Sequence, residues 1–268
     1  MSPQLDGTMT EADLAALQRA VQLLEHPSFA ARLTNMLGKP IELIGYALPA
    51  SASRLITTAT AKALELALNA ALRTMRGTAY AESPRLHRAL AAATGAAGGA
   101  FGLASLPMEL PVSTVVMLRS IAQIARGEGE DLADSEAALA CVQVFALSGR
   151  LGSTDASESG YFVVRGVLAK SVTQAARFIA ERGVIEEGSP ILVRFITQVA
   201  SRFGVVVTQK AAAQAVPVIG ALGGATVNYA FIEHFQDVAR GHFTVRRLER
   251  AYGKDLVHRE YERLARQD

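Results

Sequence analysis

The sequence is poor in cysteine, aromatic residues and charge, and each shortage excludes a class of protein. Of its 268 residues one is cysteine and none is tryptophan, aromatic residues make up 6%, and charged residues make up 19%. The single cysteine, Cys141, excludes an intramolecular disulfide and any zinc site built from several cysteines. A formal net charge of +2 provides no global basic field, so we expect no nucleic-acid partner.

Recognisable catalytic and nucleotide-binding motifs are also missing. The chain contains no GxSxG elbow, Walker A motif, HExxH zinc motif or CxxC pair. The glycine run from Gly95 to Gly102 lacks the GxGxxG spacing of a dinucleotide site, and no predicted strand precedes it. The first residues, MSPQLDGTMTEADL, carry neither a basic start nor an apolar stretch. They therefore predict no secretory signal, and we expect a cytoplasmic protein.

What the sequence does contain is alanine and aliphatic residues, which together predict an all-α fold. Hydrophobic residues make up 50% of the chain and the mean hydropathy is +0.22. This composition favours helices but is too polar for a protein with many membrane spans. Thr8 and Glu11 have capping-box spacing and predict the start of the first helix. Apolar periodicity and breakers predict helices over about 11–25, 28–37, 53–75, 111–126, 135–148, 161–182 and 190–215, with a final amphipathic helix after Gly253.

No long linker or tandem repeat divides the chain, so one domain is expected. We predict a disordered tail over residues 1–10 and a single large helical bundle over residues 11–268. Cys141 lies in an apolar helical stretch and is predicted to be a small buried residue.

Two glycine-rich segments with almost no charge stand out. The first spans residues 89–125, where only Glu109 and Arg119 are charged, and it contains overlapping GxxxG spacings at 95, 98, 99 and 102. The second spans residues 211–232 without any charge and contains the GxxxG pair Gly220 and Gly224. So many glycines disfavour a helix unless they let another helix approach closely. We predict that both segments are helical and buried at the centre of the bundle.

Prolines interrupt the first segment around its only carboxylate. Pro107 and Pro111 predict a break between two helices, and therefore a helical hairpin with Glu109 at the break. A buried charge costs several kcal/mol unless it is paired. Glu109 and Arg119 are thus each predicted to have a partner elsewhere, and the candidates are the second segment, Arg246 and Arg247.

The polar stretch that follows the second segment contains the candidate catalytic residues. His234 and Asp237 share a helix face, and His242 follows two turns later. With Glu109 they form the candidate catalytic set, and Glu109, His234 and Asp237 form a candidate site for a divalent metal. In the alternative interpretation these residues cap and solvate the end of an apolar helix, and Arg240 neutralises Asp237.

Basic residues beside the apolar segments are candidates for contact with lipid headgroups or other anions. They are Arg119, Arg240, Arg246, Arg247 and Arg250. The alternative is a solvated helix of mixed charge, because Glu249 and Asp255 are interleaved with them.

Two long stretches resemble the EcsC protein family. They are GGAFGLASLPMELPVSTVVMLRSIAQIARGEGEDL at 98–132 and VPVIGALGGATVNYAFIEHFQDVARGHFTVRRLERAYG at 216–253. The resemblance implies a bacterial protein whose family takes its name from an operon that also encodes an ABC transporter, and that is often regarded as membrane-associated. It supplies no catalytic residues.

Three functions follow as hypotheses. The first is a lipid-interacting accessory protein, peripheral at the inner membrane, whose partner is an anionic membrane surface or a membrane protein such as a transporter subunit. The second is a metal-assisted hydrolase with its site near Glu109 and residues 233–242. The third is a helical module that binds another protein.

Overall fold

The computed structural model describes residues 9–25, 29–74, 105–148, 160–182, 189–215 and 220–267. In these ranges the chain forms ten helices and no strand, which confirms the predicted all-α fold. The helices are α1 (Glu11–Glu25), α2 (Phe29–Leu37), α3 (Ile41–Tyr46), α4 (Ala50–Thr74), α5 (Leu106–Gly127), α6 (Ser135–Leu147), α7 (Gly160–Arg182), α8 (Pro190–Gln214), α9 (Gly220–Tyr252) and α10 (Lys254–Ala265).

The start of α5 corrects the predicted proline break. The helix begins at Leu106 and continues through Pro111 without interruption. Pro107 lies in the first turn, where its missing N–H has no intrahelical partner to lose, so only Pro111 removes a backbone bond. The glycines at 95, 98, 99 and 102, which would form the other arm of the hairpin, lie outside the described residues.

The N-terminus of α1 is capped by a residue other than the predicted one. The Thr10 hydroxyl oxygen accepts a hydrogen bond from the Asp13 backbone N–H at 3.2 Å. This satisfies one of the free N–H groups of the first turn. Thr8, the predicted cap, lies outside the described residues.

Helix α6 is the most deeply buried of the described helices. Twelve of its 13 residues are buried, Glu136 in the first turn being exposed, and it packs against α4, α5, α7, α8 and α9. A helix that is apolar on every side belongs inside a bundle. Cys141 is 0% exposed in this helix, and burial raises the pKa of its thiol, as expected for a structural residue.

The other long helices surround α6. Helix α8 packs against α2, α3, α4, α6, α7 and α9, while α9 packs along α1 and α5 and carries α10 at its end. Helix α9 is 33 residues long, about 50 Å, and so connects the two ends of the bundle. Sites near its beginning and near its end are therefore far apart.

Gly241 shows where a glycine is required for close helix packing. A Cβ at this position on α9 would lie 2.6 Å from Leu24 Cγ and 3.1 Å from the Ala20 carbonyl oxygen of α1. Gly241→Ala is expected to lower the free energy of unfolding by about 1–3 kcal/mol, because the two helices must separate to admit the methyl group. Urea denaturation measures this.

Gly204 on α8 provides the matched control, since a Cβ there would meet nothing within 4 Å. Gly204→Ala is expected to stabilise the protein by about 0.5–1 kcal/mol through helix propensity alone. Equal effects of the two substitutions would contradict the close packing of α1 on α9.

Candidate functional site

A buried ion cluster lies where α5, α8 and α9 meet. Lys210 on α8 donates hydrogen bonds to Glu109 Oε1 on α5 at 2.6 Å and to Asn228 Oδ1 on α9 at 2.8 Å. The Lys210 ammonium also lies 4.7 Å from the centre of the Phe231 ring, within the range of a cation–π contact. Lys210 and Asn228 are 0% exposed and Glu109 is 6% exposed. One cation thus connects three helices away from water.

The electrostatics of the cluster are those of a buried pair that is incompletely satisfied. Burial lowers the pKa of Lys210, and the nearby Glu109 carboxylate opposes that shift. The second carboxylate oxygen, Glu109 Oε2, receives no hydrogen bond from the residues that the structure describes. Loss of either partner would leave a charge in a low-dielectric environment, which is far more costly than loss of a surface ion pair.

Large apolar side chains are exposed on the three helices that meet at this cluster and on α3. Met108 and Tyr229 are the sequence neighbours of Glu109 and Asn228, and Met108 is 81% exposed. Helix α3 lies against α8 at the level of Lys210 along the helix, since a Cβ on Gly45 would lie 3.6 Å from Thr208 and 3.9 Å from Ala212. We call this region the apolar end of the bundle; its exposed members are Leu43, Tyr46, Met108, Val112, Val205 and Tyr229.

The sequence itself places the chain among known proteins. A family model described as the EcsC protein family matches residues 11–248. The chain belongs to the EcsC protein family. Comparison with curated proteins and with solved structures gave no match. The ion cluster and the apolar end of this EcsC-family protein lie within the matched residues, whereas α10 lies beyond them.

The EcsC-family chain does not bring the predicted metal-binding residues together. Glu109 is bound by Lys210, and Asp237 accepts hydrogen bonds from Arg32 at 3.1 Å and Arg240 at 2.7 Å. No group of three or more His, Cys, Asp or Glu side chains within the described ranges could hold a metal ion. Within the described residues Glu109 and Asp237 therefore bind different cations, and the Arg240 contact with Asp237 is the one given in the alternative interpretation.

The two candidate histidines are buried in separate environments. His234 packs on Phe29, with 5.3 Å between ring centres, and burial lowers its pKa to about 3. His242 Nδ1 lies 2.8 Å from the Tyr161 hydroxyl, and burial lowers the pKa of His242 and raises that of Tyr161 to about 12. Both imidazoles are therefore neutral at pH 7, and His242 belongs to a polar network inside the bundle.

That network continues to a strong ion pair. Arg165 on α7 donates to the Tyr161 hydroxyl at 3.3 Å and holds Glu249 on α9 through two bonds of 2.8 and 2.6 Å. Two parallel bonds of this kind fix both side chains. Local sequence patterns do not predict this network, because its α7 and α9 members are 81 to 84 residues apart along the chain.

The arginines predicted to meet lipid headgroups are engaged inside the protein. Arg240 binds Asp237, while Arg246 and Arg250 both bind Glu130. Arg247 binds Asp13 and Glu128. Arg119 is half-buried on α5. The described contacts of α9 thus join it to α1 and to the turn after α5.

Lys210, the central residue of the site, was also missed. It immediately precedes the second charge-free segment and is the one lysine in the apolar stretch VVVTQKAAAQAV. A single charge in an apolar stretch is also the feature that singles out Glu109. The same criterion identifies Lys210, and because a buried charge requires an opposite one, the two residues are then predicted to pair.

Proposed function

We propose that this protein binds peripherally to the surface of anionic membranes through its apolar end. The observation that carries the proposal is the set of large apolar side chains exposed there, led by Tyr46 at 89% and Met108 at 81%. Exposed apolar clusters of this kind are typical of sites that contact a membrane or another protein. The helices that carry them contact one another in the order α3, α8, α9 and α5.

Three further features support lipid as the occupant. Two of the exposed side chains, Tyr46 and Tyr229, are tyrosines, which are enriched at membrane interfaces because an apolar ring carries a polar tip. Lys39 and Arg54 are exposed on either side of α3 and can meet anionic headgroups. The charge-free sequence of residues 89–104 leads directly into α5, and the second charge-free segment begins beside Lys210. In the sequence, α5 and α9 thus each follow charge-free residues.

The proposal is surface association rather than spanning. Among the described helices α8 alone is long and apolar enough to cross a membrane by length and composition. It also contains the buried Lys210, whose bonds to α5 and α9 would have to break before α8 could leave the bundle. Association through side chains that are already exposed requires no such step.

Val205 and Val193 allow a matched test on one helix. Val205 belongs to the apolar end and is 53% exposed, whereas Val193 lies 12 residues earlier on α8 and is 52% exposed. Val205→Glu, combined with Tyr46→Glu, is expected to weaken binding to phosphatidylglycerol-containing vesicles at least about tenfold, because charged side chains resist entry into the interface. Flotation of the protein with these vesicles measures the effect.

Val193→Glu is expected to leave flotation unchanged, and vesicles of phosphatidylcholine alone are expected to bind the unmodified protein more weakly. Unmodified, folded protein that floats with neither vesicle would refute the proposal. Such a result would favour a protein partner at the same surface. Equal losses for both glutamate variants would show that binding is not centred on the apolar end.

A further inference from the structure

A pocket of about 310 Å³ lies between α6, α7, α9 and α10, at the other end of the bundle from the proposed membrane surface. Its contribution from α9 includes Arg246, which is 18 residues, or about 27 Å of helix, beyond Asn228 of the ion cluster. The volume is at the lower end of the range for small-molecule sites. None of the features assigned to the membrane surface lies in this pocket.

Gln143 points to a ligand in the pocket. This residue of α6 lines the pocket and is 4% exposed. Within the described ranges its amide forms no hydrogen bond, and its N and O atoms are not among the fully buried ones, so they are open to the pocket. An amide has two donors and an acceptor, so Gln143 can bind a polar molecule that enters the pocket.

Gly166 is a second, independent feature of the same pocket. It lies inside α7, where glycine costs about 1 kcal/mol relative to alanine. Packing does not require it, because an added Cβ would meet nothing within 4 Å. Its absence of a side chain keeps the pocket wall open.

The charges of the pocket are fixed and balanced. Arg165 is held by Glu249 and Arg246 by Glu130, each through two bonds, so both guanidinium groups are preorganised. Arg246 Nη1 also lies 3.8 Å from Glu136 Oε1, and Arg165 Nη1 donates to the Tyr161 hydroxyl. The pocket lining contains three cationic side chains and three carboxylates: Arg165, Arg246, Lys254, Glu136, Glu249 and Asp255. A lining with both signs suits a molecule that carries both signs.

We propose that this pocket binds a small zwitterion of amino-acid size. Its carboxylate would meet the donors of Arg246, Lys254 and the Gln143 amide, and its ammonium group would meet Glu136 or Asp255. Phe162 and Val172 provide an apolar wall for an aliphatic part. Neither a simple anion nor a simple cation uses both halves of this lining.

Calorimetric titration of the full chain with each standard amino acid tests the proposal. At least one is expected to bind, and its carboxamide and its N-acetyl derivative are each expected to bind at least about tenfold more weakly, because each lacks one charge. No binding by any standard amino acid would overturn the proposal. Equal binding of a blocked derivative would overturn the zwitterion requirement and the proposal with it.

Two pocket variants and one control locate the binding. Gln143→Leu removes the free amide, and Gly166→Leu places a side chain in the open space; both are expected to reduce affinity at least about tenfold. Gly204→Leu is the control, because a Cβ at this other helical glycine also meets nothing within 4 Å. It is expected to bind like the unmodified protein. Circular dichroism confirms folding, and unchanged affinity in both pocket variants would overturn the assignment.

Discussion

Lys210→Met is expected to lower the free energy of unfolding by about 3–5 kcal/mol. The substitution leaves Glu109, which is 6% exposed, as a buried carboxylate without its cation. It also removes the hydrogen bond to Asn228. Because methionine has a similar length and shape, the loss reports on charge more than on packing. Urea denaturation followed by circular dichroism at neutral pH measures the change.

A second variant distinguishes the cost of an unpaired buried charge from the cost of altered packing. Glu109→Leu combined with Lys210→Met removes both charges and is expected to recover most of the lost stability, because two apolar side chains need no partner. Lys62→Met is the surface control: Lys62 contacts Glu65 at 3.0 Å, and both side chains are more than half exposed. This control is expected to cost less than about 1 kcal/mol. A similar cost for Lys62→Met and Lys210→Met would contradict the buried cluster.

The double variant also separates the cluster from the proposed membrane surface. It leaves the exposed side chains of Tyr46 and Val205 in place, so vesicle binding is expected to persist if those side chains carry it. Loss of flotation in this variant, with its fold intact, would instead make the cluster part of the lipid contact.

The helices could be predicted from local patterns, and the structure confirms most of them within a few residues. Apolar periodicity, Gly127 and Gly253 mark ends that depend on neighbouring sequence alone. Helix α3 was not predicted, because the six residues from Ile41 to Tyr46 are too short to show a period. Helix α5 starts earlier than the predicted break allows, because Pro107 lies in the first turn, where proline is tolerated, and the helix continues through Pro111.

The sequence predicts that a buried ion pair exists, but not which residues form it. The single carboxylate of an apolar segment correctly predicted a buried ion pair at Glu109, because desolvation requires a partner wherever the chain folds. The identity of that partner depends on how α5 packs against α8, which brings together residues 101 positions apart. Spacing along the chain likewise placed His234 and Asp237 on one helix face, but not the Arg32 that α2 brings to Asp237. The pairs Lys210–Glu109 and Arg32–Asp237 therefore depend on contacts between helices that are distant in the sequence.

Acidification from pH 7.5 to pH 5 is expected to destabilise the protein, because two buried histidines remain neutral in the folded state. Burial lowers the pKa of His234 to about 3, with the Arg32 charge acting in the same direction. Burial, Arg165 and Arg246 lower the pKa of His242 well below its usual value. In the unfolded chain both residues titrate near pH 6.5, so the unfolded state takes up protons first as the pH falls.

The sign and the pH window follow from these shifts. The stability that neutral His234 contributes is complete above about pH 6.5 and is lost progressively as the pH falls towards the folded pKa. Its pKa of about 3 corresponds to a loss of roughly 5 kcal/mol in total, of which about 2 kcal/mol falls between pH 6.5 and pH 5. His242 also has a lowered pKa in the folded state, so its contribution to stability is lost in the same direction as the pH falls. The pKa of Glu130 is lowered by Arg246 and Arg250 despite its burial, so the stability it contributes is lost only below this window.

Urea denaturation at the two pH values distinguishes the histidines from general acid sensitivity. His234→Leu removes one of these two buried histidines and is expected to reduce the loss between pH 7.5 and pH 5 by about 2 kcal/mol. His242→Leu is expected to reduce it as well, and the double variant is expected to be nearly insensitive in this range. An undiminished loss in His234→Leu would place the proton uptake elsewhere. A stability of the unmodified protein that does not change between the two pH values would mean that water reaches these imidazoles in the folded state.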